Sequence, residues 1–357
     1  MEKKHVTLLE ISDLKIRFDT ARETVHALNG VNLELESNQT LGIIGESGCG
    51  KSVTALSIMG LVDSPPGVIE GGEIRYRGQN LLDLSESELN NIRGNEISMI
   101  YQDPMEALNP SLTIGYQVME PLLEHTDVSK STARERAVET LKQCGLADAE
   151  RIMDDYPHGL SGGMQQRVMI AMGIITEPDL LIADEPTTAL DVTIQAQILG
   201  LLSELKERLG MSMIFITHDI PVVNEVADRL AVMYAGRVAE VAATKDIVDN
   251  PMHPYTELLL ESMPKSDRAP DRLPVIEGVV PTFDQEPTGC VFASRCPKHL
   301  GDECDSVAPI LRESTEARSG QQTACHLYYD PSQDVITSEQ NEQTSRNQDA
   351  KFGEENQ

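Results

Sequence analysis

The stretch GESGCGKS at residues 45–52 decides how the rest of the sequence is interpreted. It fits the phosphate-binding pattern G-x-x-x-x-G-K-[ST], and it lies between the apolar strand-like segment 40–45 and a helix-like stretch that begins at Lys51. In this context the glycines let backbone N–H groups surround phosphates at a helix N-terminus. Lys51 is expected to reach the β- and γ-phosphates, and the Ser52 hydroxyl to bind Mg²⁺. The alternative is a glycine turn without a ligand.

The sequence around this loop alternates between strand-like and helix-like stretches. The segments DLLIAD at 179–184 and MSMIFIT at 211–217 are apolar enough for strands covered on both faces of a sheet. Between them, residues 191–209 have a helical pattern. This alternation predicts an α/β fold with a doubly wound parallel core sheet and a nucleotide site at the carboxyl ends of its strands.

The pattern of apolar residues divides this part of the chain into subdomains. Residues 6–37 alternate apolar and polar side chains, which is typical of half-buried antiparallel strands. The pattern over about 104–175 is mainly helical, and the Pro- and Gly-rich stretch 63–72 predicts a loop. We therefore expect a nucleotide-binding domain over 6–250 that contains an N-terminal antiparallel β subdomain and a helical subdomain.

The composition changes twice after this domain. Proline becomes frequent beyond residue 250, which indicates a small C-terminal extension over 251–330. Residues 331–357 are rich in Ser, Gln, Asn and Glu and almost free of apolar residues, so they predict a disordered acidic tail.

Two adjacent carboxylates follow the apolar segment 180–183. This strand would bring Asp184 to a Mg²⁺ ion and Glu185 to the γ-phosphate edge. Adjacent acids can divide the work, because one faces the metal while the other polarises an attacking water. The alternative is that both residues cap a helix.

A second turn of small residues lies in LSGGMQQR at 160–167. Ser161, Gly162 and Gly163 precede an apolar helix, so this turn can also hold an anion. The chain thus has two phosphate-binding helix starts but a single lysine-bearing loop. The arrangement is understandable if the second turn closes over a nucleotide bound to a neighbouring subunit.

Taken in order, these motifs resemble the ATP-binding cassette (ABC) family of transporter ATPases. The remaining landmarks are Gln102 in YQDP, Asp191 after Ala189 and Leu190, and His218 in ITHD. The resemblance covers about residues 8–250. It implies a P-loop NTPase fold and an active ATPase that binds ATP and Mg²⁺.

The resemblance also implies a role for individual residues. Gln102 would sense Mg²⁺ and water while coupling to membrane subunits, Glu185 would be the base that orients water, and His218 would hydrogen-bond the γ-phosphate. Phe18 would stack on adenine, although a core Phe is the alternative, and Asp191 would communicate between the two sites of a dimer. The implied nucleotide contacts are Phe18, Gly45, Ser47, Gly48, Cys49, Gly50, Lys51, Ser52, Val53, Ser161, Gly162, Gly163, Gln165 and Asp191, and the implied Mg²⁺ residues are Ser52, Gln102 and Asp184.

Four of the six cysteines lie in the extension: Cys290, Cys296, Cys304 and Cys325. Their gaps are longer than the C-x₂₋₄-C pairs of structural zinc sites, whereas an iron–sulfur cluster tolerates irregular spacing. Together with HPYTELLL at 253–260, the segment resembles the C-terminal extension of oligopeptide and dipeptide permease ATPases, which also serve some nickel importers. This resemblance implies a [4Fe–4S] cluster on the four cysteines. The alternative is four reduced thiols that pack a small fold.

The charge balance limits the possible partners. The sequence has 58 acidic against 29 basic residues, a formal charge of −29, which repels phosphate backbones and excludes a general nucleic-acid binder. Near 1 M salt the Debye length is about 3 Å, so this charge favours a halophilic host; an acidic protein of an ordinary cell is the alternative. The sequence has no run near the ~18 apolar residues of a membrane span and no signal peptide. We expect a peripheral location at the cytoplasmic face of the membrane.

The resemblance implies the ATP-hydrolysing subunit of an importer for oligopeptides, dipeptides or a related solute such as nickel. Its expected partners are a second, similar cassette, two transmembrane permease subunits and, indirectly, an extracellular solute-binding protein. A non-transport ATPase acting on DNA or ribosomes, and an exporter cassette, are the alternatives. Lys51 and Ser161 are only 110 positions apart, which leaves no room for the long coiled coil of recombination-type relatives.

Overall fold

The computed structural model describes residues 6–188, 190–262, 276–314, 317–318 and 320–329. The strands are β1 Thr7–Asp19, β2 Thr24–Glu36, β3 Thr40–Ile44, β4 Gly67–Tyr76, β5 Gln79–Asn80, β6 Ile97–Ile100, β7 Leu180–Asp184, β8 Ser212–Ile216, β9 Arg229–Tyr234, β10 Arg237–Ala243, β11 Arg312–Glu313 and β12 Gln322–Thr323. The helices are α1 Lys51–Ile58, α2 Glu86–Ile92, α3 Pro104–Ala107, α4 Ile114–His125, α5 Lys130–Gln143, α6 Ala149–Ile152, α7 Gly162–Ile174, α8 Val192–Leu209, α9 Ile220–Val226, α10 Thr244–Asp249, α11 Pro254–Glu261 and α12 Asp302–Ser306. Short 3₁₀ helices span Leu81–Asp83, Pro157–Gly159, Ala293–Arg295 and His326–Tyr328.

The larger sheet has the order β11-β12-β10-β9-β3-β8-β7-β6. Its central strands β9, β3, β8, β7 and β6 are parallel, and the three strands at the other edge are antiparallel. Every residue of β3, β7 and β8 is buried, so both faces of the sheet are covered. Leu181 and Ala183 pack into one apolar cluster while Leu180 and Ile182 pack into the other, as the alternation of side chains along a strand requires. The predicted parallel core sheet is confirmed.

The N-terminal strands form a separate antiparallel sheet with the order β2-β1-β4-β5. The prediction of a loop over 63–72 was wrong, because β4 already begins at Gly67. A Cβ atom at Gly72 would lie 2.5 Å from the carbonyl oxygen of Asp13, and the pairing of β1 with β4 shifts register at this point. The glycine therefore serves a bulge inside the sheet rather than a turn.

The stretch from 104 to 175 consists of helices α3 to α7 without a strand between them. Side chains cap three of these helices, since Asp103, Thr113 and Ser129 accept hydrogen bonds from the first turns of α3, α4 and α5. Helices α4, α5 and α7 bury apolar residues against one another, including Val118, Leu141 and Val168. This packing positions the turn that precedes α7.

The C-terminal extension shares a sheet with the nucleotide-binding region, because β12 pairs with β10. Glu240 of β10 is fully buried and accepts hydrogen bonds from the backbone N–H groups of Met252 and His253 and from the Gln321 amide. Burial raises the pKa of Glu240, whereas these hydrogen bonds lower it. The change of composition near residue 250 thus does not separate the chain into independent sheets.

Two sequence-based expectations concern parts of the chain beyond this fold. The predicted tail over 331–357 lies outside the described residues. Of the helices in the described ranges, none has the length and apolar character that would let it cross a membrane.

Candidate nucleotide-binding site

The glycine-rich loop connects β3 to α1, as the sequence predicts. Gly50 precedes the helix with φ at +105°, a conformation that favours glycine. A Cβ atom at Gly45 would lie 2.2 Å from the carbonyl oxygen of Met233, so the loop packs closely on β9. The Cys49 side chain points into the protein and is fully buried, which leaves only its backbone available to a ligand.

Lys51 reaches back over the loop. Its ammonium group donates hydrogen bonds to the carbonyl oxygens of Gly45 at 2.8 Å and Glu46 at 3.2 Å. These bonds hold the charge at the centre of the loop, where incoming phosphates would meet it.

Asp184 offers a place for a cation beside Ser52. The carboxyl group is 5% exposed, and its Oδ1 atom has no hydrogen-bond partner. Burial raises the pKa of Asp184, and the hydrogen bond with Ser52 opposes that rise. A buried carboxylate oxygen without a partner is costly unless a cation neutralises it, so the residues fit Mg²⁺.

Glu185 is the point where several elements meet. Its Oε2 atom accepts hydrogen bonds from Gln102 Nε2 at 3.2 Å and Thr188 Oγ1 at 2.9 Å, and it lies 3.4 Å from His218 Nδ1. The backbone φ of Glu185 is +46°, which is unusual for a residue with a side chain. The predicted residues Gln102 and His218 thus both lie next to the Oε2 atom of the predicted residue Glu185. Sequence analysis missed Thr188, although its position three residues after Glu185 could have indicated it.

Lys51, Ser52, Glu185 and the partners of Glu185 line one cleft of about 670 Å³, whereas Asp184, Gly45 and Cys49 do not line it. It contains predicted residues from the loop, the strand end and the segment near His218, and it also includes Ala27, which sequence analysis did not identify. The lining residues are Ala27, Ser47, Gly48, Gly50, Lys51, Ser52, Val53, Gln102, Glu185, Thr188 and His218.

Phe18 does not line this cleft. It is half-buried in β1 and pairs in the sheet with Val25 and Gly67. Its ring packs against the apolar cluster of the N-terminal sheet. The geometry agrees with the alternative of a core Phe, and adenine stacking stays a prediction.

The turn before α7 does not line the cleft of its own chain, although Gly162 lines an adjoining pocket that shares Gln102 and Thr188 with the cleft. Ser161 and Gly162 are exposed, and neither they nor Gly163 line the cleft. Gln165 is buried, and its amide donates to the carbonyl oxygens of Pro157 and Leu160 at 2.7 and 3.5 Å. The side chain of Gln165 therefore holds the turn in shape rather than presenting itself to a nucleotide.

Asp191 has a structural partner in its own chain. Its Oδ1 atom accepts hydrogen bonds from the backbone N–H groups of Thr193 and Ile194, so it caps α8. Communication between two sites of a dimer stays a prediction for this residue.

The four cysteines of the extension are neighbours but do not form a metal centre. The pKa of Cys290 is raised to about 11 and that of Cys325 to about 12, mainly by burial; for Cys325 the other three thiols contribute in the same direction. The Cys290 N–H donates to the carbonyl oxygen of Cys304 at 2.7 Å. Within the described ranges, no group of three or more His, Cys, Asp or Glu side chains could hold a metal ion. The predicted iron–sulfur ligand set of Cys290, Cys296, Cys304 and Cys325 is thus not arranged as a binding site.

Comparison with protein families gives two matches. Residues 28–188 match the ABC transporter family, and residues 239–304 match the C-terminal region of oligopeptide/dipeptide transporters. The second match includes Cys290, Cys296 and Cys304 but ends before Cys325.

Individual proteins agree with these matches. The chain is 50% identical over 322 residues to the oligopeptide transport ATP-binding protein AppD of Bacillus subtilis, covering 90% of this chain and 97% of that protein. It is 49% identical over 302 residues to the dipeptide transport ATP-binding protein DppD of the same organism, covering 85% and 90% of the two chains. A solved structure, the dimeric post-hydrolysis ATP-binding cassette MJ0796 bound to ADP and Pi, superposes with a TM-score of 0.60 at 31% identity, covering 66% of this chain and 98% of the other.

Proposed function

Because the chain belongs to the ABC transporter ATP-binding proteins of the oligopeptide and dipeptide branch, we propose that it hydrolyses ATP to energise the import of peptides. The observation that carries this proposal is the cleft in which the phosphate-binding loop meets Glu185 and the partners of Glu185. The match over residues 239–304 favours peptide import over an exporter or a non-transport ATPase.

The phosphate-binding loop would hold the nucleotide. Its backbone N–H groups and the positive end of α1 attract the phosphates, and Lys51 adds a fixed positive charge. Ser52, Gln102 and Asp184 would hold Mg²⁺, and the ion, when bound, would offset the negative charge of the phosphates.

Glu185 would accept a proton from the attacking water. Its carboxylate is oriented by Thr188 and Gln102, so it presents a fixed oxygen to the cleft. His218 is 65% exposed in its side chain and lies next to the same oxygen, where it can hydrogen-bond a γ-phosphate.

A second cassette would complete the site. Ser161, Gly162 and Gly163 do not line the cleft of their own chain, so we infer that they cover the nucleotide of a neighbouring cassette, which is similar but not identical. The binding energy of ATP can close such a pair only if ATP binds the closed state more tightly than the open one.

The remaining partners follow from transport. Two membrane permease subunits would receive the motion through Gln102 and the helices between 104 and 175, and an extracellular protein would deliver the peptide. We place the chain at the cytoplasmic face of the membrane as a peripheral subunit, with no nucleic acid as partner.

Reconstitution tests the function. The chain is combined in vesicles with the permease and cassette subunits encoded beside it, and uptake of labelled dipeptides, longer peptides and Ni²⁺ is measured with and without ATP. We expect ATP-dependent uptake of a peptide. Uptake of Ni²⁺ alone would contradict the proposed substrate class, and co-sedimentation with ribosomes without uptake would contradict transport.

We also propose that the four cysteines take up a [4Fe–4S] cluster in the cell. Support comes from the proximity of the cysteines, since neighbouring members of the set raise the pKa of Cys290, Cys296 and Cys325. Cluster assembly would require the thiols to lose protons and to approach one another. Protein purified without oxygen should contain iron and sulfide and absorb broadly near 400 nm. Iron-free, colourless protein after anaerobic reconstitution would overturn this proposal.

The net charge supports a third proposal, a salt-rich host. With a formal charge of −29, self-repulsion is screened near 1 M salt but not in dilute buffer. Circular dichroism should show loss of secondary structure when KCl falls from molar to about 0.1 M. An unchanged spectrum would contradict the proposal.

A further inference from the structure

The C-terminal extension reaches the phosphate-binding loop through Arg295. Its guanidinium binds the Glu46 carboxylate at two points, with Nη1 2.7 Å from Oε2 and Nη2 3.1 Å from Oε1. The Arg295 side chain is 6% exposed and that of Glu46 is 28% exposed. This paired geometry in a mostly dry place is the strong form of an arginine–carboxylate contact.

Every nitrogen of the Arg295 guanidinium has a partner. Nε donates to the Glu277 carbonyl oxygen at 2.8 Å, Nη1 also donates to the Tyr234 hydroxyl at 3.1 Å, and Nη2 also donates to the carbonyl oxygens of Ile276 and Gly278. The side chain is thus fixed from several sides, and its position is set by the fold of the extension rather than by Glu46 alone.

The backbone of Glu46 is also held by hydrogen bonds. Its backbone N–H donates to the Tyr255 hydroxyl at 3.0 Å, and its carbonyl oxygen accepts from Lys51 at 3.2 Å. Tyr255 packs with Tyr234 and Phe292 in a buried aromatic cluster whose ring centroids are 4.7 to 5.3 Å apart. Two separate parts of the extension, Tyr255 and Arg295, therefore contact the same residue of the loop.

An unpaired carboxylate at this position would oppose the binding of ATP. Glu46 immediately follows Gly45, and its carbonyl group shares the Lys51 ammonium that is expected to bind the phosphates. A negative charge in a partly buried place repels a polyphosphate more strongly than it would in water. The Arg295 charge cancels that repulsion and also fixes the backbone of the loop.

We propose that Arg295 is a positioning residue for ATP binding, which acts from the extension by neutralising and orienting Glu46. The inference rests on the proposed nucleotide site and adds to it a dependence on the extension. It assigns the extension a direct part in ATP affinity, in addition to any role of its cysteines.

A double-mutant cycle on the full-length chain tests the proposal. The variants are Arg295→Gln, Glu46→Gln, the double variant and Arg295→Lys, with Arg318→Gln as the matched control because Arg318 joins the extension to Asp246 by another ion pair. The dissociation constant of MgATP is measured by displacement of a fluorescent ATP analogue. Circular dichroism and thermal unfolding are recorded for each variant, and kcat and KM are measured after assembly with the partner cassette.

Arg295→Gln should raise the MgATP dissociation constant about tenfold, the effect of one unpaired charge near an anion, with kcat at saturating ATP within about twofold of the original chain. The double variant should bind MgATP more tightly than Arg295→Gln, because it no longer has the unpaired carboxylate. The MgATP dissociation constant of Arg295→Lys should lie between those of the original chain and Arg295→Gln, because Lys keeps the charge but not the two-point geometry. Arg318→Gln should bind as the original chain does.

Three results would overturn the inference. One is unchanged MgATP affinity in a folded Arg295→Gln chain, and another is a double variant whose loss equals the sum of the single losses. If Arg295→Gln does not fold, the test uses Arg295→Lys and the double variant instead. The inference is then overturned if both variants bind MgATP as tightly as the original chain. An original chain that binds no MgATP would instead overturn the proposed function, a result the same titration shows separately.

Discussion

The nucleotide cleft and the cysteine-bearing extension were both predicted from short motifs. The predicted side chains converge in the cleft but do not form a binding site in the extension. In the cleft, the side chains of Gln102, Thr188 and His218 meet at one oxygen of Glu185. In the extension, four thiols are neighbours but present no metal-binding group within the described residues. A motif that fixes backbone shape, such as a glycine loop between a strand and a helix, also determines where its functional groups lie. The spacing of cysteines along the sequence does not determine where their side chains lie.

Because side chains converge in the cleft and not in the extension, substitutions in the cleft should remove the most ATPase activity. Glu185→Gln takes away the proton acceptor but keeps the size and one acceptor oxygen, so ATP turnover should fall by a factor of about 10² to 10⁴ while MgATP still binds. Hydrolysis by the assembled cassettes and MgATP affinity are measured together. Turnover that stays at the original level would show that Glu185 is not the base.

Asp184→Asn tests the proposed Mg²⁺ site. MgATP at 100 times its dissociation constant should stabilise the original chain by about 2.7 kcal/mol, and the variant should lose most of the part that depends on Mg²⁺. Thermal unfolding with ATP in Mg²⁺ or in EDTA measures this difference. The exposed Asp154, replaced by Asn, is the control.

The same variant gives a pH test. Because burial raises the pKa of Asp184, the carboxyl group favours the folded state when protonated, and this contribution is lost as pH rises through the raised pKa. Without metal or nucleotide, Asp184→Asn should therefore be more stable than the original chain at neutral pH, and the two should converge as pH falls. A variant that is less stable at neutral pH would contradict the shift.

Thr188→Val measures the orientation of Glu185. The variant removes a hydrogen bond of 2.9 Å to a carboxylate, so kcat should fall by about tenfold with little change in KM. Thr140→Val of α5, which does not line the cleft, should leave both constants unchanged. A change in KM alone would mean that Thr188 binds nucleotide instead of orienting Glu185.

The smallest effect is expected in the extension. In protein without a cluster, Cys304→Ser replaces a buried thiol by a hydroxyl and should cost about 1 kcal/mol of unfolding free energy, while ATP turnover stays within about twofold. Cys144→Ser, a buried cysteine outside the extension, is the control for stability. A tenfold loss of turnover in Cys304→Ser alone would show that the thiols and the nucleotide cleft act as one site.

Much of the cleft could be predicted because its residues follow buried strands or helix starts. The strand before Gly45 and the strand that ends at Asp184 are buried at every position, and their parallel pairing through β8 brings their carboxyl ends together. Gly72 misled the prediction because glycine marks a bulge as well as a turn. The contact between Arg295 and Glu46 joins residues 249 positions apart, and no local pattern encodes such a pairing.

The proposed pair of cassettes implies that one chain holds only half of a reaction centre, and Ser161 and Gly162 are exposed and do not line the cleft of their own chain. The most direct test is ATP hydrolysis per chain over a dilution series, with sedimentation recording the fraction of associated cassettes at each concentration. We predict that the rate per chain falls in proportion to that fraction and recovers on reassociation. A chain that sediments as a monomer and hydrolyses ATP at an undiminished rate would contradict the claim.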